Sequence, residues 1–336
     1  MNKICYDIKP FTDVWVKDCY HMSMLPGIIY TIGNADCVLF NQYFKYALYE
    51  DSIVFQNYDY KNVYEILKSN NVKVLPIEKV KNIHRFISEK LQSGNVIIIG
   101  IDNYYENIRR DFYKKKHSGH SILIIGVDYL NKRYKIIEQP FFYSINYQYY
   151  EIEFEYLEKS YKSFLKNKDD NYFFYNKLTD TTRINGAIPS ICTIDVKALK
   201  RQALNEVIRK HYKEELASKQ QEIIDSLCMI QKFRDNFERI YEECKNESRY
   251  SLDIIKNLNG TINNKILEIY LLKLVEPIED EMDKISKNVI SRWSEIRTIL
   301  SKYMFSNEYN AKHMENGLCI LQQIYNEESY FYNNIC

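Results

Sequence analysis

Residues 113–140, YKKKHSGHSILIIGVDYLNKRYKIIEQP, set His117 and His120 three positions apart and then run from His120 straight into an apolar segment. HSILIIGVD is short, rich in branched aliphatic residues and closed by turn residues, which predicts a strand that begins at the imidazole. The next run, RYKIIEQP, predicts a second strand ending in Glu138, Gln139 and Pro140. Either Glu138 or Gln139 can accept a hydrogen bond from one ring nitrogen of His120, setting the tautomer and leaving the other nitrogen as a base. Strand alternation turns 138 and 139 to opposite faces, so only one of them can face His120. Glu138 is the expected partner, because an anion better stabilises a charged imidazole. His117 precedes the strand in a basic loop and reads as a solvated surface residue.

Outward from this stretch, short β-type runs (VKVLPI, NVIIIGI, SILIIGV, RYKIIEQP and YEIEFEY) alternate with candidate helices up to about residue 185. After RINGAIPS, which reads as a linker, the pattern turns helical. Leu204, Ile208, Tyr212 and Leu216, then Ile223, Leu227, Ile230, Phe237 and Tyr241, recur at three- and four-residue steps, as one long helix or two nearly collinear ones would place them. Further stripes run from Ile262 to Leu272, ending near Pro277, from Met282 to Leu300, and from about Lys312 to Tyr325. The expected fold class is α+β: a mixed α/β domain with a central antiparallel sheet over 1–185, then an all-α helical bundle over 186–336. A chain of 336 residues is comfortable for two cores.

Lys plus Arg 46 against Asp plus Glu 45 leaves a net charge of +1, which gives no electrostatic argument for nucleic acid or an anionic membrane surface. The start, MNKICYDIKPFTDVW, lacks the pattern of a signal peptide, and VIIIGI is far too short to span a bilayer, so a cytoplasmic protein is expected. Eight cysteines without CxxC or CxxH spacing make neither a zinc site nor a disulfide framework, and most are expected to be buried small apolar residues. Nine glycines form no phosphate loop of the Walker type.

The nucleophile that His120 would serve comes from VKDCYHMSMLPGIIYTIGN, where Cys19 follows an acidic residue and opens a helix that Pro26 bends or restarts. At a helix N-terminus the dipole and free N–H groups favour a thiolate and can also hold an oxyanion. His21 is too close in sequence to serve Cys19 and reads as a solvent or substrate contact. A nucleophile early on a helix, a base on a central strand and an orienting residue on the next strand make the arrangement of thiol proteases.

Taken together, Cys19 after Asp18, NVIIIGIDNYY at 95–105 and GHSILIIGVDYLNKRYKIIEQPFF at 119–142 resemble the papain-fold domain shared by C39-type cysteine peptidases and relatives of butirosin biosynthesis protein H. The helical second half is similar to the butirosin-type architecture as well. That resemblance implies a papain-like fold with Cys19 as nucleophile, His120 as base and Glu138 or Gln139 as the third member. It implies an enzyme that moves an acyl group from a carrier-protein thioester to a small amine in thiotemplated natural-product biosynthesis, as similar proteins do in closthioamide assembly. No cofactor binds the chain itself in this reading; phosphopantetheine arrives on the acyl or peptidyl carrier protein. Asp102 matches a recurrent acidic position of the family and is read either as substrate-binding, with Tyr104, Tyr105 and Gln139 lining the same cleft, or as the cap of the turn after its strand. Papain-like peptidases commonly place Gln a few residues before the nucleophile, but FTDVWVKDC has none, which leaves backbone groups, Asn34 or Gln42 as oxyanion donors. Lys200, Arg201, Arg209 and Lys210 are the candidate contacts for an acidic carrier. Two rival readings use the same residues: a cytosolic cysteine peptidase or thioesterase, and a non-catalytic carrier-binding scaffold.

Overall fold

The structure, a computed structural model, describes residues 3–141, 145–169, 189–197, 205–245, 248–306 and 308–335. In chain order the elements are β1 (Lys3–Cys5), α1 (Cys19–Ile32), α2 (Asp36–Leu39), β2 (Gln42–Tyr49), β3 (Ser52–Asp59), α3 (Val63–Ser69), β4 (Val74–Ile77), α4 (Ile83–Gln92) and β5 (Asn95–Asp102). A 3-10 turn (Asn103–Tyr105) leads on to β6 (Gly119–Asp128), β7 (Arg133–Glu138), β8 (Gln148–Glu153), α5 (Phe154–Asn167) and β9 (Ile191–Asp195). The remainder is helical: α6 (Asn205–Ser226), α7 (Cys228–Asp235), α8 (Phe237–Glu243), α9 (Arg249–Val275), α10 (Asp280–Ser306) and α11 (Ala311–Asn334). The architecture is α+β.

Two compact units share the chain: Met1–Asn41 with Lys61–Asn205, and Gln42–Tyr60 with Glu206–Cys336. The division falls at 205 rather than near 185 because β9 pairs with β4 and β5 in the first unit's sheet. It also transfers the β2–β3 hairpin to the helical unit. Residues 183–188 of the expected linker lie outside the described residues.

The first unit is an antiparallel sheet in the order β4-β9-β5-β6-β7-β8, with β1 paired to the far end of β6. One face buries Ile97, Ile99, Ile101, Ile122, Ile124 and Ile136 against Ile87 and Leu91 of α4 and Leu157 and Tyr161 of α5. Each such side chain contributes roughly 1.5–3 kcal/mol when fully buried. On the other face, alternation turns Val96 toward α1, where a Cβ on Gly27 would stand 2.8 Å from Ile194 Cδ1. The glycine lets α1 lie close against β5 and β9. Asp18 caps the start of α1 by accepting from the His21 N–H, and Gly33, with φ of 93°, ends it in the left-handed region.

In the second unit, β2 and β3 bury Phe44, Tyr46 and Phe55, with the Phe44 and Phe55 rings stacked at 5.5 Å. Helix side chains satisfy the hairpin's outer edges. Ser226 Oγ accepts from Tyr46 N–H at 3.0 Å, Thr261 Oγ1 accepts from Phe55 N–H at 3.0 Å, and Asn264 Nδ2 donates to the Phe55 carbonyl at 2.7 Å. Beneath the hairpin, Lys265 donates to Glu268 (2.6 Å) and Glu328 (3.0 Å), and Tyr46 donates to Glu328 at 2.5 Å. Trp293 Nε1 closes this network on the Tyr46 hydroxyl at 3.1 Å.

The first helical stripe is neither one helix nor two but three, interrupted at Leu227 and Asn236, and the last extends nine residues beyond Tyr325, to Asn334. YEIEFEY is a strand only to Glu153, where α5 takes over. Among the described cysteines Cys37, Cys192 and Cys244 are buried, whereas Cys5, Cys228 and Cys319 are exposed and Cys19 is half-buried. Burial is therefore not the general rule for them.

Candidate active site

Cys19 is the first residue of α1, directly after the Asp18 cap. Two contacts pin this end of the helix to Ser121, the residue after His120 in β6. The Ser23 hydroxyl donates to the Ser121 carbonyl at 2.9 Å, and the Ser121 N–H hydrogen-bonds the Cys19 sulfur. The turn into the helix is held by Lys17 in the left-handed region (φ 51°) and by the Val16 N–H donating to Met22 Sδ at 3.2 Å.

His120 is the second residue of β6 and Glu138 ends β7, so the antiparallel pairing of the two strands brings them together. Nε2 of His120 lies 2.9 Å from both Glu138 carboxylate oxygens. One of those oxygens also accepts the Gln139 N–H at 2.6 Å. Glu138, not Gln139, therefore faces the imidazole, as alternation requires. Gln139 is buried immediately beside it.

The charges at this end of the sheet include side chains with no warning in the sequence. Arg109 is completely buried; its Nε and Nη2 donate to Asp111 at 3.2 Å each, and its Nη1 stands 3.4 Å from His120 Nε2. Glu106 is equally buried, and neither of its carboxyl oxygens has a hydrogen-bond partner among the described residues. Burial holds Glu106 protonated well above the usual carboxyl range, with the Glu138 charge adding to the shift.

These surroundings decide the protonation states. Burial and the Asp18 charge push the Cys19 thiol up to about 12, against the pull of the Ser121 N–H. Burial and the Arg109 cation hold His120 well below its ordinary value. Glu138 is pushed up to about 8 by burial, opposed by Arg109 and by the Gln139 N–H. The helix N-terminus does not outweigh desolvation, so at neutral pH the resting pair is a thiol and a neutral imidazole, not the thiolate expected from the helix dipole.

The other residues singled out from the sequence each have partners of their own. Asp102 has no exposed surface; its carboxylate accepts from the N–H groups of Tyr104 and Ser118 (3.1 Å each), from the Ser163 hydroxyl (2.6 Å) and from His117 Nδ1 (2.6 Å). Tyr104 stacks on the His117 ring at 4.2 Å. Asp102 thus caps the turn after β5, and His117 is its half-exposed partner rather than a freely solvated loop residue. His21 is buried, with Nδ1 on Asp18 at 2.9 Å, because the N-cap carboxylate takes the ring as well as the backbone N–H. Asn34 lies past the opposite end of α1 from Cys19, with its oxygen on the Asp36 N–H, and Gln42 Oε1 accepts from Asn57 within the hairpin. Arg209 and Lys210 fall on α6, while Lys200 and Arg201 lie outside the described residues.

Sequence reasoning missed Arg109, Asp111 and Glu106. Their one signal is topological: the connection from β5 to β6 must pass the mouth of β6, so charged residues in ENIRRD approach His120. The chain matches no protein-family model and no curated protein. Among the described residues, no helix is long and apolar enough to cross a membrane.

Proposed function

We propose that the chain is a cysteine-dependent acyltransferase on a papain-like fold that forms amide bonds from carrier-protein thioesters. The observation that supports it is the placement of Cys19 at the start of α1, its sulfur on the Ser121 N–H, one residue along β6 from His120, whose Nε2 is held by buried Glu138. Because Nε2 is committed to Glu138, the proton-accepting atom of His120 in this reading is Nδ1.

The chemistry has two stages. His120 takes the Cys19 proton as the sulfur attacks the thioester carbonyl; a carbon–sulfur bond forms, and the carrier thiol leaves with the proton returned by His120. An amine then attacks the acyl-enzyme, His120 accepts its proton, and the amide leaves as the Cys19 thiol is restored. Thioester exchange is close to thermoneutral and aminolysis is downhill, so no step draws on ATP. Phosphopantetheine belongs to the carrier partner in this scheme. Arg209 and Lys210 on α6 are the proposed complement to an acidic carrier.

The test is intact-mass spectrometry with an acyl-N-acetylcysteamine thioester, followed by a diamine chase. Wild type should gain the acyl mass and discharge it as an amide, while Cys19→Ala gains nothing. Discharge only to free acid would favour a peptidase or thioesterase. Absence of an adduct from any thioester, carrier-bound ones included, would remove the acyl-enzyme reading and leave a carrier-binding scaffold.

A further inference from the structure

Attack on a thioester carbonyl moves its π electrons onto oxygen, and an enzyme gains most where a preformed donor meets that charge. No Gln precedes Cys19, and Asn34 lies past the far end of α1. Tyr147 presents a different donor. It immediately precedes β8, whose Gln148 pairs with Glu138 across the β7–β8 ladder, so the backbone at 147 lies just beyond the residue that orients His120. The residue is 2% exposed, and its hydroxyl has no hydrogen-bond partner among the described residues.

A buried hydroxyl without a partner costs about 1–3 kcal/mol. Such a group is tolerable where a partner arrives during function. The charges that act on this phenol, after its burial, are Glu138, Cys19, Arg109 and Asp18, which places it in the field of the nucleophile and its base. The same surroundings hold its proton well above the ordinary range, so it is a donor throughout neutral pH.

We infer that the Tyr147 hydroxyl donates a hydrogen bond to the oxyanion formed when Cys19 attacks an acyl carbonyl, supplying the side-chain donor that the segment before Cys19 lacks. This assignment rests on the acyltransferase reading. The hydroxyl keeps its proton throughout. As the tetrahedral species collapses, the oxygen's electron pair re-forms the carbonyl, the carbon–sulfur bond to the carrier breaks, and His120 protonates the departing thiolate. Tyr147 is thus a catalytic residue that touches the reacting oxygen.

The experiment compares two reactions of the same sulfur in the full chain. Acylation by the N-acetylcysteamine thioester passes through an oxyanion, whereas alkylation by iodoacetamide does not. Cys19 is followed by peptide mapping, since Cys5, Cys228 and Cys319 are exposed and react as well. Tyr147→Phe should slow acylation about 100- to 1000-fold, leave alkylation within about twofold, and leave thermal stability no lower, since no hydrogen bond is lost. Fluorinated tyrosine at 147, a stronger donor with little added bulk, should speed acylation several-fold, and this arm decides the matter if the Phe variant does not fold. Acylation at the wild-type rate in Tyr147→Phe, or no acceleration by fluorination, overturns the assignment while leaving the acyl-enzyme intact. If wild type is alkylated at Cys19 but never acylated, the acyltransferase reading itself fails and carries this assignment with it.

Discussion

Replacing His120 by Ala should slow acylation of Cys19 by about 10³- to 10⁴-fold at pH 7, the upper range for loss of a positioned base. The magnitude follows from the thiol. With its pKa near 12, the unassisted thiolate is scarce at neutral pH, and each unit of pH raises it tenfold. The His120→Ala rate should therefore climb about tenfold per pH unit. Wild type should behave differently, because Glu138 sets the tautomer of the base. Protonated, Glu138 can donate to Nε2 and confine the ring proton to Nδ1, where it blocks attack; ionised, it accepts from Nε2 and frees Nδ1. Arg109 and the Gln139 N–H favour the ionised form, whereas burial and Asp111 oppose it. Glu106, Cys19, Tyr147 and Asp18 share the same field. Acylation in wild type should rise with pH through an apparent pKa of about 8. Glu138→Gln, an acceptor that does not titrate, should lose that limb. The measurement is the acylation rate from pH 6 to 9 in all three proteins; an identical limb in Glu138→Gln would remove the tautomer argument.

Lys265→Met should cost about 3–5 kcal/mol, the usual penalty for removing one partner of a buried ion pair. Lys265 is 1% exposed and is bonded to both Glu268 and Glu328. Burial alone would lower its pKa, but the two carboxylates outweigh that and hold the ammonium above its ordinary value. Burial also raises the Glu268 pKa, even against Lys265, so the native state grips this proton harder than the unfolded chain does. That contribution is present in acid and is lost as pH rises through the folded value. Without Lys265, Glu268 loses the cation that opposes its burial and stays neutral to higher pH, so the variant's deficit should widen from pH 5 to pH 8. Urea titration followed by Trp293 fluorescence, in a Trp15→Phe background, reads the helical unit selectively. Combining Lys265→Met with Glu268→Gln and Glu328→Gln should recover much of the loss. A midpoint unchanged by Lys265→Met would mean the network contributes nothing to stability.

The proposed nucleophile, base and orienting carboxylate were legible because each sits at the end of a regular element. Asp18 before an apolar run marks a helix start, and alternation along β7 separates Glu138 from Gln139. Arg109 and Glu106 were not legible, because the connection between β5 and β6 has no periodicity, and a charged residue in such a loop looks the same in sequence whether solvated or buried. Asp102 was ambiguous for a different reason. Its acidic character after a strand suits a ligand as well as a turn cap, and only its four acceptor contacts distinguish the two. The hairpin escaped notice for another reason: its alternation is ordinary, but the helices that cover it begin far along the chain.

That separation has a consequence during synthesis. Residues 42–60 leave the ribosome well before α9 begins at Arg249, and α11 ends only at Asn334. At roughly 5–20 residues per second the interval is on the order of tens of seconds. Throughout it the hairpin carries Phe44, Tyr46 and Phe55 without the helices that cover them, as a two-stranded ribbon too small to be stable alone. Co-translational folding of the helical unit therefore waits until α11 has been made, and the nascent chain presents an aromatic segment to holdase chaperones throughout that interval.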